Sequence, residues 1–194
     1  MILKASLLIP VFNGLKYLDN CFKSLTNSQE LNNSQVEIIF IDDGSFDGTS
    51  ERLEEFKIKN KDLNILIIKN QTNKGLRISL NKGISESSGE YIFRLDIDDL
   101  WVNGRLKTSL DVINTLQKRD KKFVLLGSFM KGISGRNYYC PFEVNNLYQL
   151  LFSSCVFHPT WCISSKIAKK YKYEMESPFD DYYLILRLIL DNYR

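Results

Sequence analysis

An α/β protein built on a parallel sheet is what this sequence predicts, and three observations predict it. Short apolar runs alternate with segments of helical periodicity along the first two thirds of the chain. The alternation implies parallel strands joined by crossover helices. Three of the apolar runs also end in polar, ligand-capable residues: Pro10 to Asn13, Asp42 to Ser45, and Asp96 to Asp99. In parallel strands those ends share one edge, where open α/β sheets bind ligands.

The elements follow in order. Ala5–Ile9 reads as a first strand closed by Pro10, with Asn13 as an N-cap. Leu15, Leu18, Phe22 and Leu25 keep helical spacing. The polar stretch 27–35 is a loop, and Val36–Ile41 a second strand running into Asp42, Asp43, Gly44 and Ser45. Glycine there permits a sharp turn and close ligand approach. Asp47 or Thr49 caps a helix that turns Leu53 and Phe56 inward, and Asn64–Lys69 is a third strand. Asn73-Lys74-Gly75 opens a helix with Leu76, Leu80 and Ile84 on one face, and Gly89 closes the turn after it.

Tyr91–Leu95 is a fourth strand, and it runs into three carboxylates, Asp96, Asp98 and Asp99. Such a cluster repels itself unless cations or hydrogen-bond donors offset it. Hard oxygen ligands suit Mg2+ or Mn2+, commonly as one or two carboxylates completed by substrate phosphates. The plainer reading is a strand end before a helix whose first turn favours acids. Leu106, Leu110 and Ile113 mark a helix to Arg119, and Phe123–Leu126 a fifth strand.

After Ser128 the alternation breaks. The expected elements are a hairpin between Phe129 and Tyr138–Tyr139, a short helix over Asn145–Phe152, a strand at Trp161–Ile163 and a helix over Lys166–Tyr171. The last helix starts with Ser177 as N-cap and Pro178 at its first position. Leu184, Ile185, Leu188 and Ile189 form its buried stripe. Asp181, three and four residues before Leu184 and Ile185, sits near the buried face at the helix mouth, with Asp180 about 100° round. Asp181 is a candidate base or simply an acid favoured by the macrodipole.

Composition narrows the class. The chain has 194 residues, 44% hydrophobic and 25% charged, with a formal charge of +3. That fits one globular domain and is too weakly basic to imply nucleic acid. No apolar run reaches membrane-spanning length, and the first residues read as a strand rather than a signal peptide. Cys21, Cys140, Cys155 and Cys162 have no CxxC spacing, as expected of reduced thiols in a cytoplasmic protein. GxGxxG after the first strand and GxxxxGK[ST] are both absent, so dinucleotide dehydrogenases and P-loop NTPases are poorly supported.

Several ordered stretches resemble the family 2 glycosyltransferases: SLLIPVFNGLKYLDNCFKSL (Ser6–Leu25), IIFIDDGSFDGT (Ile38–Thr49), NKGLRISLNKGISESSGEYIFRLDIDD (Asn73–Asp99), HPT (His158–Thr160) and FDDYYLILRL (Phe179–Leu188). The resemblance implies the GT-A fold, a Rossmann-like, mostly parallel sheet. Residues 1–126 would be the nucleotide-sugar half and 127–194 an acceptor-side region of the same domain. Pro10, Val11 and Asn13 would line the base and ribose pocket. Asp42 or Asp43 would bond the base edge, with Lys74 and Arg77 near the nucleotide. Asp96 and Asp98 would be the DxD pair holding ribose, Mn2+ or Mg2+ and diphosphate, with Asp99 as a third carboxylate. Asp181 matches the general base of inverting members, although Asp180-Asp181 stands where the family often has Glu-Asp.

The implied function is transfer of a sugar from a nucleoside-diphosphate sugar, uridine-linked by expectation, to a saccharide or lipid-linked hydroxyl in surface polysaccharide or lipopolysaccharide synthesis. A cytoplasmic enzyme, peripheral at the inner face of the membrane, is the matching location. Many members continue with further helices over the acceptor, whereas this chain stops at Arg194. The competing classes are a sugar-nucleotidyltransferase, for which PVFNGLKYL offers little of the required Gly-rich basic loop, and a non-catalytic nucleotide-sugar-binding domain. His158, the sole histidine, is open to diphosphate, metal or acceptor contact or to simple packing. Tyr138, Tyr139, Phe157 and Trp161 either stack on sugars or fill the core.

Overall fold

The computed structural model describes residues 4–32, 35–128, 130–132, 134–139, 157–174 and 180–194, with the side chain of Asp180 excepted. Its sheet has the order β3-β2-β1-β4-β8-β5. The strands are β1 (Ala5–Val11), β2 (Val36–Asp42), β3 (Ile65–Lys69), β4 (Tyr91–Arg94), β5 (Leu125–Leu126) and β8 (Cys162–Ser164). A separate hairpin pairs β6 (Met130–Lys131) with β7 (Asn137–Tyr138). The helices are α1 (Leu15–Thr26), α2 (Thr49–Lys59), α3 (Leu76–Glu86), α4 (Arg105–Arg119), α5 (Ser165–Tyr171) and α6 (Asp180–Leu190).

Both faces of the sheet are covered, and this is why β1 and β2 are apolar almost throughout rather than alternating. Ala5, Leu7, Ile9 and Val11 pack with α1, α2 and α4 through Leu18, Phe22, Leu53, Phe56 and Ile113. Phe22 and Phe56 stack at 3.8 Å, and Phe40 meets both edge-on. Leu8, Ile39 and Ile41 pack on the other face with α3, α5 and α6 through Leu80, Ile84, Ile167, Leu184 and Leu188. Burying such a side chain fully contributes about 1.5–3 kcal/mol. Leu15 and Leu76, expected on the inner stripes of their helices, are exposed instead. Each is the first residue of its helix.

β1, β2, β3 and β4 are parallel, as expected. The fifth strand is not β4's neighbour. β8, from the far end of the chain, lies between β4 and β5 and runs antiparallel to both. Local periodicity reports what an element is, not which edge it joins. The expected helix over 145–152, the Ser177–Pro178 helix start, Cys140 and Cys155 fall outside the described residues; Cys21 and Cys162 are free and buried. Among the described residues no helix is long and apolar enough to cross a membrane.

Pro10 lies inside a central strand, where proline is ordinarily excluded, and β1 continues to Val11 beyond it. The register explains this. Leu8 accepts from Leu95 on the β4 side, while Val11 accepts from Asp43 on the β2 side. Alternation puts Pro10 on the β4 side, and β4 pairs with β1 only as far as Arg94, opposite Leu8. The missing N–H falls where β4 has already turned away. β1 and β4 diverge there, and the strand order reverses between them, so the crevice is a topological switch point.

Candidate active site

Two loops build one wall of that crevice. The turn after β1 is tied to the turn after β2 by side chains from both. Asn13 has φ 48°, and its N–H donates to Ser45 Oγ while its Oδ1 accepts from Phe46 N–H. Asn13 was expected to cap α1, but it is occupied by this crossing pair. The first N–H groups of α1 are satisfied in trans: Gly14 donates to Thr49 Oγ1 and Leu15 to Asp47 Oδ2. Asp47 Oδ1 also accepts from the Thr49 N–H and hydroxyl at the start of α2. The DGSFDGT turn therefore caps two helices.

Asp42 and Asp43 are both buried at the base of this wall. Asp42 Oδ1 accepts from Ser45 N–H. Asp43 holds the loop after β3: Oδ1 accepts from Asn70 Nδ2 and Lys74 N–H, and Oδ2 from Gly75 N–H. Burial pushes its carboxyl up, but these hydrogen bonds, with Ser79, outweigh burial and hold it below the ordinary value. Glycine is required at position 44, directly after the pair. Its φ is +78°, and a Cβ there would lie 2.6 Å from the Thr72 carbonyl carbon. Lys74 itself is exposed, and Arg77 sits in the first turn of α3. Pro10 and Val11 are buried, Val11 within the core. What stands exposed on this wall is an aromatic pair, Phe12 with Phe46, edge-to-face at 6.0 Å.

The other wall is the end of β4. Asp96 is part-buried, Asp98 exposed and Asp99 part-buried. Asp96 Oδ1 lies 2.5 Å from Arg94 Nη2. Burial pushes the Asp96 carboxyl above its ordinary value; Arg94 pulls it down and Asp98 adds to the rise. Asp99 is raised chiefly by burial, then by Asp96 and Asp98, against Arg105 and Arg94. Arg105 donates to the carbonyls of Arg94 and Pro159 and lies over Trp101, 4.7 Å from the ring centroid. Burial pushes its guanidinium down to about 10. The cluster thus carries its own counter-charges. Among the described residues no three His, Cys, Asp or Glu side chains converge as a metal cage. The Asp96–Asp99 run nevertheless supplies hard oxygen donors of the kind that hold Mg2+ or Mn2+ together with a diphosphate.

The loop after these acids is pinned from α1 and the turn that follows it. Trp101 N–H donates to Ser24 Oγ, and Trp101 Nε1 to Glu30 Oε1. Glu30 also accepts from the Leu106 and Lys107 N–H groups, capping α4 from outside its own sequence neighbourhood.

His158 belongs to the core edge. Its Nε2 is 2.6 Å from Tyr173 Oη and its ring packs on buried Trp161 at 4.6 Å. Burial, then Arg94, pushes its pKa down to about 2. The packing reading of His158 and of Trp161 is the one the structure bears out, while Tyr138 and Phe157 form an edge-to-face pair and Tyr139 is exposed. An imidazole protonates near pH 6.5 in the unfolded chain but stays neutral when folded. Its contribution to stability is therefore full above pH 6.5 and is lost as pH falls toward 2. The loss reaches about 2 kcal/mol by pH 5. Urea unfolding of His158→Gln between pH 7 and 5 is expected to show a flatter acid limb than the native chain.

Asp181 stands in the first turn of α6, part-buried, with Oδ1 accepting from Tyr182 N–H. Leu184, one turn on, lines a small cavity together with Arg94, Trp161 and Tyr173. α6 and β4 thus share the lining of that cavity. Sequence reading singled out neither Phe12 and Phe46 nor Arg94, Arg105 and Glu30. Arg94 had a signal, a charge inside the apolar run YIFRL; Glu30 had none.

The model of the family described as glycosyl transferase family 2 matches residues 6–170. A cholesterol galactosyltransferase of Borreliella burgdorferi is 36% identical over 126 residues, covering 65% of this chain and 32% of that protein. The chain spans less than two thirds of the length of the curated relatives compared with it. Among solved structures, S. aureus TarS in complex with UDP superposes with a TM-score of 0.79 at 23% identity, covering 97% of this chain and 56% of that one. The mannosyltransferase PcManGT from Pyrobaculum calidifontis, in complex with GDP-Man and Mn2+, gives 0.77 at 15% identity, covering 100% and 54%.

Proposed function

The chain belongs to glycosyl transferase family 2 and has the GT-A fold, and from that membership we propose that it transfers a sugar from a nucleoside-diphosphate sugar to a hydroxyl acceptor with inversion. The observation that supports this reading is that the acid-bearing ends of β2, with Asp42 and Asp43, and of β4, followed by Asp96, Asp98 and Asp99, flank the end of β1 where the strand order reverses. The base and ribose would lie over part-buried Asn13, beneath which Pro10, Val11 and the Asp42–Asp43 pair are buried, with exposed Lys74 at the rim. A uridine donor is the preferred assignment. The acceptor would be a saccharide or a lipid-linked hydroxyl of surface polysaccharide synthesis, at the cytoplasmic face of a membrane. The galactosyltransferase relative, which by its name acts on a sterol, supports a lipid-type acceptor.

The residues fit a divalent cation, with Asp98 and Asp96 as its holders. When bound, the cation would offset the charge of the departing diphosphate. Asp181 would accept the acceptor's hydroxyl proton as the oxygen bonds to the anomeric carbon. The bond from that carbon to the diphosphate oxygen breaks, and its electron pair leaves with the nucleoside diphosphate. One displacement inverts the centre.

Thermal unfolding with UDP, GDP and their sugar conjugates, each with and without Mn2+, tests the donor site. A ligand at about 100 times its Kd is expected to raise Tm by roughly 5–10 °C in a chain of this size. Asp98→Asn is expected to abolish the Mn2+-dependent part. A native chain unmoved by every nucleotide, or an Asp98→Asn protein with the full shift, refutes the assignment.

A further inference from the structure

Arg94 has no task in the donor-site reading, yet it is held more firmly than any of the acids around it. It is 4% exposed. Its N–H donates to the Trp161 carbonyl at 3.0 Å, and its carbonyl accepts from Arg105 at 2.9 Å. β1 runs alongside, with Leu8 as its register partner. Three separate parts of the chain fix the backbone that aims this guanidinium. Its Nη2 then meets Asp96 Oδ1.

On its cavity side Arg94 has no room for a donor among the described residues. The space beside the side chain is a cavity of about 20 Å³, the scale of a single water molecule. It is walled by Leu8, Ile92, Trp161, Tyr173 and Leu184 among others. Neither a phosphate nor a sugar fits there. The Nε and Nη1 atoms of Arg94 and the Trp161 Nε1 atom find no protein partner among the described residues. Burying an incompletely satisfied guanidinium is costly, and the visible return on that cost is the contact with Asp96.

We propose that Arg94 is a positioning residue for the donor site: it clamps one oxygen of Asp96, so that the other is presented to the incoming nucleotide in a fixed direction, and it cancels one of three clustered negative charges that would repel the diphosphate. This rests on the donor-site reading above. Arginine suits the task because its planar fork fixes direction as well as charge, which a lysine does not. Arg105 supplies a second buried cation on the Asp99 side, so the three carboxylates present a net charge near −1 rather than −3.

Titration calorimetry of UDP or GDP, whichever moves the native chain's Tm, in the presence of Mn2+ tests the proposal. Arg94→Met is expected to weaken nucleotide binding about 10- to 100-fold, and Arg94→Lys less, because charge returns without direction. The decisive comparison is a double-mutant cycle with Asp96→Asn. If Arg94 acts through Asp96, Arg94→Met changes Kd less than about twofold when Asp96 is already Asn. Equal losses in both backgrounds, or an Arg94→Met protein that binds as the native one does, overturn the proposal. If Arg94→Met does not fold, the same cycle run with Arg94→Lys decides by the same criterion. Failure of the native chain to bind any nucleoside diphosphate overturns the donor reading and this proposal together; native binding with additive losses overturns this proposal alone.

Discussion

Replacing Asp181 by Asn is expected to lower kcat by about 100- to 10,000-fold, the usual contribution of a general base, while nucleotide affinity stays within about twofold. The amide keeps the size of the side chain and can still accept from Tyr182 N–H, the bond that orients the carboxylate now. It cannot take a proton. The helix that carries it is anchored independently by buried Leu184, Ile185 and Leu188, so the substitution leaves the fold in place. Steady-state turnover with saturating donor is the measurement, with nucleotide calorimetry as the control. A variant retaining more than about a tenth of native kcat removes Asp181 from the role of base. Asp180→Asn, assayed in parallel, then shows whether its neighbour holds that role.

Asp43→Ala is expected to be the most damaging single change to the donor wall. Three donors converge on this carboxylate, from Asn70, Lys74 and Gly75. Bonds to a buried charge contribute about 1.5–3 kcal/mol each, but Lys74 lies at the surface and water recovers part of its loss. A net cost of about 2–4 kcal/mol follows, or roughly 10 °C in Tm. The pH dependence has a definite sign. The carboxyl is held below its ordinary value, so its contribution is present above the unfolded value near pH 4 and disappears as pH falls through the lower folded one. Above about pH 4 the acid limb belongs to His158 alone, and the Asp43 contribution joins it only below that value, which a urea–pH grid resolves. Native-like stability of Asp43→Ala at pH 7 would show that the loop is held by something else.

The strands β1 to β4 and the three polar strand ends were legible because each depends on residues adjacent in sequence. An apolar run that stops at Asp42 or Asp96 announces itself. What was not legible depends on partners far apart. Asn13 looked like a cap because caps are recognised by type and position, but Thr49 and Asp47 took that work from 32 to 35 residues away. Glu30 reaches α4 across more than 70 residues with no motif to mark it. β8 has the composition of any short strand, and nothing in CIS states that it slips between β4 and β5. His158 was ambiguous for a different reason. Histidine is equally at home on a metal or against a tryptophan, and only the Tyr173 hydroxyl and the Trp161 ring decide between them.

The inserted position of β8 also governs how the molecule comes into being. While a ribosome is still adding residues 127 to 161, β4 has β1 on one side and bare peptide groups on the other. That edge is a four-residue strand, apolar but for Arg94, the kind that pairs with whatever strand it meets. It stays open until Cys162–Ser164 arrives, a closure spanning about 70 residues and therefore slow relative to the local helices. The proposed donor crevice is bounded by that same strand end. The N-terminal half can thus gather its core early, yet the acids at Asp96–Asp99 acquire their final setting only when the last third of the chain has been synthesised and docked.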